Sequence, residues 1–213
     1  MPRLATMLFP VLFTLLLAPT AQAAGADAAL QRFVDEVRTL SARFEQVQTD
    51  EDGEVLARRA GTFELQRPGR FRWAYDAPYE QLMICDGQRI WNYEPDLAQV
   101  TVRDAAEVLS GTPAALLAQG GGALDRNFII ESGSADRGAD LVRLKPRSND
   151  ADFRLIELWL AKGVPQRMRF VDALGGSSDI RFSAVRTGIS LPAERFRFTP
   201  PKGAEVIDAG VSP

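Results

Sequence analysis

Histidine is absent from this 213-residue sequence, and cysteine occurs once, at Cys85. Without histidine, serine and cysteine nucleophiles lack their usual base, and histidine-based metal sites are excluded. A single thiol can form neither an intramolecular disulfide nor a thiolate metal cluster. Cys85 is therefore interpreted as a small apolar core residue, with a reactive thiol as the alternative.

Few features of the sequence point to catalysis. Its 28 acidic residues could supply the paired carboxylates of a glycosidase, but most of them lie in turns or on the polar side of predicted strands. The glycines at 120–122 follow a predicted helix instead of preceding one, so they do not form a phosphate-binding loop. We expect a protein that is not an enzyme, with no catalytic residues, no cofactor and no metal ion.

Long apolar runs and runs of basic residues are also missing, except at the N-terminus. The charges, net −3, are mixed along the chain, which does not favour nucleic-acid binding. Arg3, the apolar stretch from Leu4 to Ala18 and the small residues of Ala21-Gln22-Ala23 are typical of a signal peptide. We predict a cleaved signal peptide over residues 1–23 and one domain over residues 24–213.

A lipid-anchored export product needs a cysteine directly after the cleavage site. Residues 21–26 read Ala-Gln-Ala-Ala-Gly-Ala and contain none. We therefore expect an exported protein that is free in solution and not lipid-anchored.

One helix followed by many short strands is the predicted architecture. Leu30, Phe33, Val34, Val37 and Leu40 recur at helical spacing and predict an amphipathic helix from Asp27 to Leu40, with Asp27 as its cap. After Ser41, segments rich in Val, Ile, Phe and Trp alternate with turn residues every 8 to 12 positions, which indicates an antiparallel barrel or sandwich.

Turn residues place the predicted hairpins and the interruption between them. Asp86-Gly87 predicts a two-residue type I′ hairpin between Gln81–Cys85 and Gln88–Tyr93. Short helices are predicted over residues 105–109 and 113–119, with Thr112 as cap and Gly120-Gly121-Gly122 as terminator. Strands are then predicted to resume at Asn127 and to continue through Phe198.

Several predicted strands are apolar on both faces. Around the hairpin, Leu82, Ile84 and Trp91 share one side, while Met83, Cys85 and Ile90 share the other. Both faces can be buried if helices cover one side of the sheet, or if the sheet curls round an interior. Either arrangement favours a lidded half-barrel. The pattern leaves open whether that interior is a close-packed core or a ligand cavity.

Arg67 breaks the apolar pattern of its strand. It shares a face with Phe63 and Leu65, and Pro68 follows it. A half-buried guanidinium needs acceptors, and unpaired carbonyls at helix ends can supply them. The alternative is a surface arginine whose stem packs on the protein while its charge reaches water.

Five ordered motifs carry a resemblance to a known family. They are Phe44-x-Gln46, Gly61-x-Phe63-x-Leu65-x-Arg67-Pro68-x-x-Phe71-x-Trp73, Asp86-Gly87-x-x-Ile90-Trp91-x-Tyr93-x-Pro95, Gly111-Thr112-Pro113, and Phe196-x-Phe198-Thr199-Pro200-Pro201-x-Gly203. In this order they resemble the periplasmic outer-membrane lipoprotein carrier family, LolA.

This resemblance implies an unclosed β-barrel with a lid of short helices over an apolar cavity, in the α+β class with mainly antiparallel strands. It implies a periplasmic monomer that takes acylated lipoproteins from a LolCDE-type ABC transporter and delivers them to a LolB-type outer-membrane receptor. Arg67 would hold the lid closed. Together with the two-faced strands and the helix, the expected lining of the cavity is Leu30, Phe33, Phe63, Leu65, Phe71, Trp73, Leu82, Ile84 and Trp91.

Two rival functions share this scaffold. Sensors of the bacterial envelope stress response use a similar half-barrel followed by a second domain, for which a chain ending at Pro213 leaves no room. The other rival is a general binder of lipids or glycolipids.

Overall fold

The computed structural model describes residues 21–106, 121–133, 138–148 and 153–209. Helix α1 covers Ala21–Glu36 and helix α2 covers Gly121–Asn127, with short 3₁₀ helices at Pro95–Leu97 and Ala193–Phe196. Most of the predicted signal peptide, the predicted helix at 113–119 and the greater part of that at 105–109 lie outside the described residues. None of the helices within the described ranges is both long and apolar enough to cross a membrane.

Twelve strands form one sheet in the described part of the chain. They are β1 Thr39–Thr49, β2 Val55–Gln66, β3 Arg70–Tyr75, β4 Gln81–Asp86, β5 Arg89–Glu94, β6 Gln99–Asp104, β7 Phe128–Ser132, β8 Asp140–Pro146, β9 Phe153–Ala161, β10 Val164–Asp172, β11 Ser177–Thr187 and β12 Glu205–Asp208. Their order in the sheet is β12-β6-β5-β4-β3-β2-β1-β11-β10-β9-β8-β7, so β12 and β7 are its edges. Only the β12–β6 pair is parallel among these described strands. This confirms the predicted unclosed, mainly antiparallel sheet with few helices.

Helix α1 is displaced toward the N-terminus relative to the prediction. It begins at Ala21 instead of Asp27 and ends at Glu36, while Leu40 lies in β1. Leu40 pairs with Leu65 on one side and with Thr187 on the other. Pairing with these two strands therefore competes with the helix for Leu40. The backbone hydrogen bonds of the sheet end the helix although the apolar spacing continues.

The hairpin at Asp86-Gly87 exists but is shifted by one residue. Cys85 pairs with Ile90, so Gly87 and Gln88 form the loop, and the positive φ of 103° falls on Gly87. The Asp86 carboxylate stabilises this loop because it accepts hydrogen bonds from the backbone N–H groups of Gln88 and Arg89, both at 2.8 Å. The type I′ pattern of two positive φ angles occurs instead at Lys162-Gly163, between β9 and β10.

The glycine-rich segment and the last predicted strand also need comparison with the prediction. Gly121 and Gly122 lie in α2, while the helix at 113–119 that Gly120-Gly121-Gly122 is predicted to terminate lies outside the described residues. Leu124 of the same helix is buried in the core, and that burial outweighs the roughly 1 kcal/mol by which each glycine disfavours a helix. Phe198 lies outside any strand, because β11 ends at Thr187.

The sheet has a concave face, which carries the main core with α1 and α2, and a convex face. On the convex face of β3–β6, Ile84, Val100 and Val102 are buried although they lie outside the main core. The segment after β11 covers them. Its Phe196 is only 1% exposed, and its 3₁₀ helix contacts β3 and β4.

A bidentate ion pair and an aromatic cluster fix this C-terminal segment. Arg195 donates to both carboxylate oxygens of Glu64, at 2.8 and 2.9 Å. The ring of Phe198 lies 5.8 Å from that of Trp91 and 5.7 Å from that of Tyr93. The segment then continues into β12, which pairs with β6 and covers that edge of the sheet.

We predict that Phe196→Ala lowers the free energy of unfolding by about 3–5 kcal/mol, since it removes a fully buried aromatic ring. Urea titration followed by tryptophan fluorescence measures the change. Arg197→Ala is the matched control, because Arg197 is the next residue and is exposed. Equal stability of the two variants would show that the C-terminal segment does not stabilise the sheet.

Candidate functional site

The concave face of β1–β3 and β11 carries a cluster of large aromatic rings, which we call the aromatic belt. Its members are Phe44, Phe63, Trp73, Tyr75 and Phe182. Trp73 is central, with ring centroids 4.8 Å from those of both Phe44 and Phe63 and 6.4 Å from that of Phe182. The rings share a face because strand register pairs Phe44 with Phe182 and Phe63 with Trp73. Such a belt offers a wide apolar surface to a ligand.

Helix α1 lies on the concave face over β7–β10. Leu30 and Phe33 project from it into the same core cluster as Phe63, Leu65 and Phe71. All five are at most 5% exposed. In this structure these five predicted lining residues thus belong to one buried core, and a bulky ligand could reach them only if the covering elements moved.

A cavity of about 320 Å³ lies beside this core on the concave face of β4–β6. Its lining is Met83, Ile90, Asn92, Thr101 and Arg103. Pockets for small ligands range from about 300 to 1,000 Å³, so this cavity is at the small end of that range. The lining is mixed, with apolar residues toward the core and polar residues toward the sheet edge.

Arg67 joins the end of β2 to the end of α1. Its side chain is 7% exposed, so the surface interpretation of this arginine is wrong. Its Nε donates to the carbonyl oxygen of Val37 at 3.0 Å, one residue beyond α1, and its guanidinium carbon lies 4.9 Å from the Phe33 ring centroid. The expected acceptor, a carbonyl at a helix end, is the one found.

The charge on Arg67 survives its burial. Desolvation, helped by the nearby Arg38 cation and opposed by Asp35, lowers the pKa of Arg67 to about 10. The side chain is therefore a cation at neutral pH. A buried cation without acceptors would be costly, and contact with the Val37 carbonyl and the Phe33 ring offsets part of that cost.

Three predicted lining residues lie on the wrong face. Leu82, Ile84 and Trp91 are on the convex side, under the C-terminal segment, so their assignment to the cavity was wrong. The register decides this, because Trp73 pairs with Met83 and successive residues of a strand point to opposite faces. The apolar character of both faces reflects two separate covers and not one cavity.

Sequence reasoning missed other residues of the concave face. Phe44 and Phe182 belong to the aromatic belt, while Met83 and Ile90 line the cavity. The sequence predicts Met83 and Ile90 on one side of the hairpin, and the register that pairs Trp73 with Met83 assigns that side to the concave face. The contribution of Phe182 depends on the pairing of β1 with β11, which are distant in sequence.

Comparison with known proteins identifies a family of carriers. Residues 35–199 match the family described as Outer membrane lipoprotein carrier protein LolA. The outer-membrane lipoprotein carrier protein of Methylibium petroleiphilum is 43% identical, over 88% of this chain and 92% of its own. The protein of the same name from Bordetella pertussis is 38% identical, over 90% of each chain.

A solved structure shares the fold at much lower identity. An uncharacterized conserved protein from Thermus thermophilus has a TM-score of 0.52 and 14% identity, with 85% of this chain and 98% of that chain covered. At this identity the match concerns the fold alone.

We predict that Cys85 of the folded protein reacts slowly with thiol reagents. Cys85 is fully buried, and desolvation raises the pKa of its thiol to about 11. At pH 8 only about a thousandth of it is then the reactive thiolate. Iodoacetamide should alkylate it at least about 100-fold more slowly in buffer than in urea. A Cys85→Ala/Ser190→Cys variant, with its thiol at an exposed position, is the control that should react at similar rates in both. Equal rates for Cys85 in both solvents would contradict its burial.

Proposed function

This chain belongs to the LolA family of outer-membrane lipoprotein carrier proteins, and we propose that it binds the acyl chains of lipoproteins on the concave face of its sheet. The observation that supports this site most directly is the aromatic belt, whose rings lie in or against the same core cluster as the buried side chains of α1. A lipoprotein carrier needs a large apolar surface that is hidden when empty. The concave face has both properties.

The energetics of acyl chains explain why a cover is needed. At about 0.8 kcal/mol per methylene, one long chain amounts to roughly 10 kcal/mol of apolar surface that water disfavours. An empty open cavity would expose a similar surface of the carrier itself. Closing the helices over the concave face removes that surface and creates a state that competes with binding. Net affinity then stays low enough for transfer to the next protein.

In this proposal Arg67 is the latch of the closed state. It connects β2 to the residue after α1 through the Val37 carbonyl, and it packs on the Phe33 ring of α1. Movement of the end of α1 away from the sheet would break both contacts. Hydrogen bonds to charged groups contribute about 1.5–3 kcal/mol, which is enough to shift a balanced equilibrium between closed and open forms by about 10- to 100-fold.

The pathway and the processing of the chain belong to the same proposal. We place the protein in the periplasm after removal of residues 1–23, as a single domain and a monomer. It would receive cargo from a LolCDE-type ABC transporter and pass it to a LolB-type receptor in the outer membrane. Its role is that of a chaperone, with no catalytic step.

We expect the protein purified from a bacterial periplasm to carry diacylglyceryl-modified polypeptides, which intact mass spectrometry identifies. Phe71→Glu should abolish this loading, because it places a charge in the apolar lining. Leu97→Glu, at a position 66% exposed, should load normally. Circular dichroism of each variant shows whether it is folded. Free lipid or glycolipid as the sole bound species would support the general lipid binder instead.

We expect Arg67→Leu to hold cargo about 10- to 100-fold more tightly than the wild type, since its closed empty form is weakened. The variant should accept lipoprotein and release it poorly to the receptor in a transfer assay with purified components. Arg38→Leu is the matched control, because it removes a neighbouring but exposed arginine. Transfer by Arg67→Leu at the wild-type rate would rule out the latch.

A further inference from the structure

The concave face changes character along its strands. Near Arg67 it carries Leu65 and Phe71, both fully buried. The aromatic belt follows. Beyond the belt, toward the hairpin between β1 and β2 and the loop after β3, a row of polar side chains crosses β1 to β5. We call it the polar row, and it consists of Gln46, Arg59, the hydroxyl group of Tyr75, Gln81 and Asn92.

Register places these residues together. Gln46 pairs with Arg59, and Tyr75 pairs with Gln81. Gln46 lies two residues from Phe44 and Arg59 lies four from Phe63, so both share the concave face with the belt. Two members extend residues already assigned to that face, since Tyr75 belongs to the belt and Asn92 lines the cavity of about 320 Å³.

Hydrogen bonds link the members of the row into two groups, which meet where Arg59 lies over the Tyr75 ring. The Tyr75 hydroxyl donates to Gln46 Oε1 at 2.8 Å, and Arg59 Nη1 donates to Gln81 Oε1 at 3.3 Å. Gln81 Nε2 in turn donates to Asn92 Oδ1 at 2.9 Å. Burial raises the pKa of the Tyr75 hydroxyl, so it stays protonated and keeps its role as donor. The row is therefore preorganised and not a set of independent surface side chains.

Arg59 has a hydrogen-bond donor that no described residue uses. Its guanidinium carbon lies 5.4 Å from the Tyr75 ring centroid, which orients the group over the belt. Its Nε is buried and has no hydrogen-bond partner among the described residues. No ion pair of the described chain includes Arg59. A buried donor without an acceptor is uncommon, and an acceptor-only group of a ligand would satisfy it.

We propose that Arg59 and the polar row form a subsite for the ester and amide carbonyl oxygens of the acylated cysteine of the cargo. This inference rests on the proposed function. The order along the concave face matches the order of groups in such a molecule: hydrocarbon tails, then carbonyls, then polypeptide. Acyl chains would lie on the aromatic belt with their ends toward Arg67, and the polypeptide would leave beside the loop after β3.

The composition of the row favours carbonyls as its ligands. Four of its five members are neutral, so the row presents amide and hydroxyl groups around a single cation, that of Arg59. Carbonyl oxygens accept hydrogen bonds without carrying a charge. They can therefore be removed from water without a second cation to neutralise them, which an anionic group would need. The subsite would also distinguish acylated cysteine from plain hydrocarbon, which the aromatic belt by itself cannot do.

Substitution of Arg59 tests the subsite against two ligands of equal hydrocarbon content. One is a triacylated cysteinyl tetrapeptide, and the other is its analogue with all three alkyl chains attached through ether oxygens, which lack the carbonyls and add no charge. We expect Arg59→Met to weaken binding of the first ligand about 10- to 100-fold and to change binding of the second less than about twofold. Displacement of a fluorescent apolar probe measures both affinities.

Arg58→Met is the matched control, because Arg58 is the adjacent residue, is exposed, and points to the convex face. It should bind both ligands as the wild type does. Equal affinities of Arg59→Met and wild type for the carbonyl ligand would overturn the subsite and leave the carrier function intact. An equal loss for both ligands would also overturn it, since Arg59 would then only shape the cavity. Failure of the wild type to bind either ligand would instead contradict the proposed function.

Discussion

The hydrogen bond from the Arg67 guanidinium to the Val37 carbonyl connects the sheet to the helix that covers its concave face. The contact suits the chemistry of both groups. The carbonyl lies just beyond a helix end, where intrahelical donors are missing, and the cation is buried beneath the ring of Phe33. The bond therefore stabilises both groups, and it helps to hold the end of α1 against the sheet. The backbone N–H of Arg67 also donates to the Arg38 carbonyl at 2.8 Å, so polar contacts as well as apolar packing join the sheet to the end of α1. Such contacts suit a cover that must open, because their loss on opening can be offset by new polar partners, whereas exposed apolar surface has none.

The two faces of the sheet are covered by different means. Helices and aromatic rings bury the concave face, whereas the C-terminal segment buries the convex face of β3–β6 with Phe196 and Phe198. On β8–β10 the convex face is charged: Glu157 pairs with Arg143 at 3.0 Å, and Arg167 lies over the Trp159 ring at 4.3 Å. Because the convex face has its own covers, opening of the concave face need not unfold the sheet.

Local chemistry made much of this architecture predictable. Strand alternation placed Phe63 with Leu65 on one face of their strand and Phe71 with Trp73 on one face of theirs, and helical spacing identified the buried side of α1. The errors arose where a distant partner decided the outcome. Leu40 follows the helical pattern but pairs with two strands, and Phe198 has strand character but packs on the ring of Trp91.

The sequence by itself determined the mainly antiparallel class of the sheet, the approximate positions of its turns and the shared face of Phe63, Leu65 and Arg67, because these follow from neighbours within a few residues. Only the tertiary structure decided which faces meet. It separated Trp91 from Trp73 onto opposite sides, brought Phe182 to the aromatic belt, and joined Gln46, on β1, to Tyr75, on β3, and so into the polar row. Alternation shows that two residues of a strand lie on opposite faces, but it does not show which element covers each face. The cover depends on how strands far apart in the chain pair with one another.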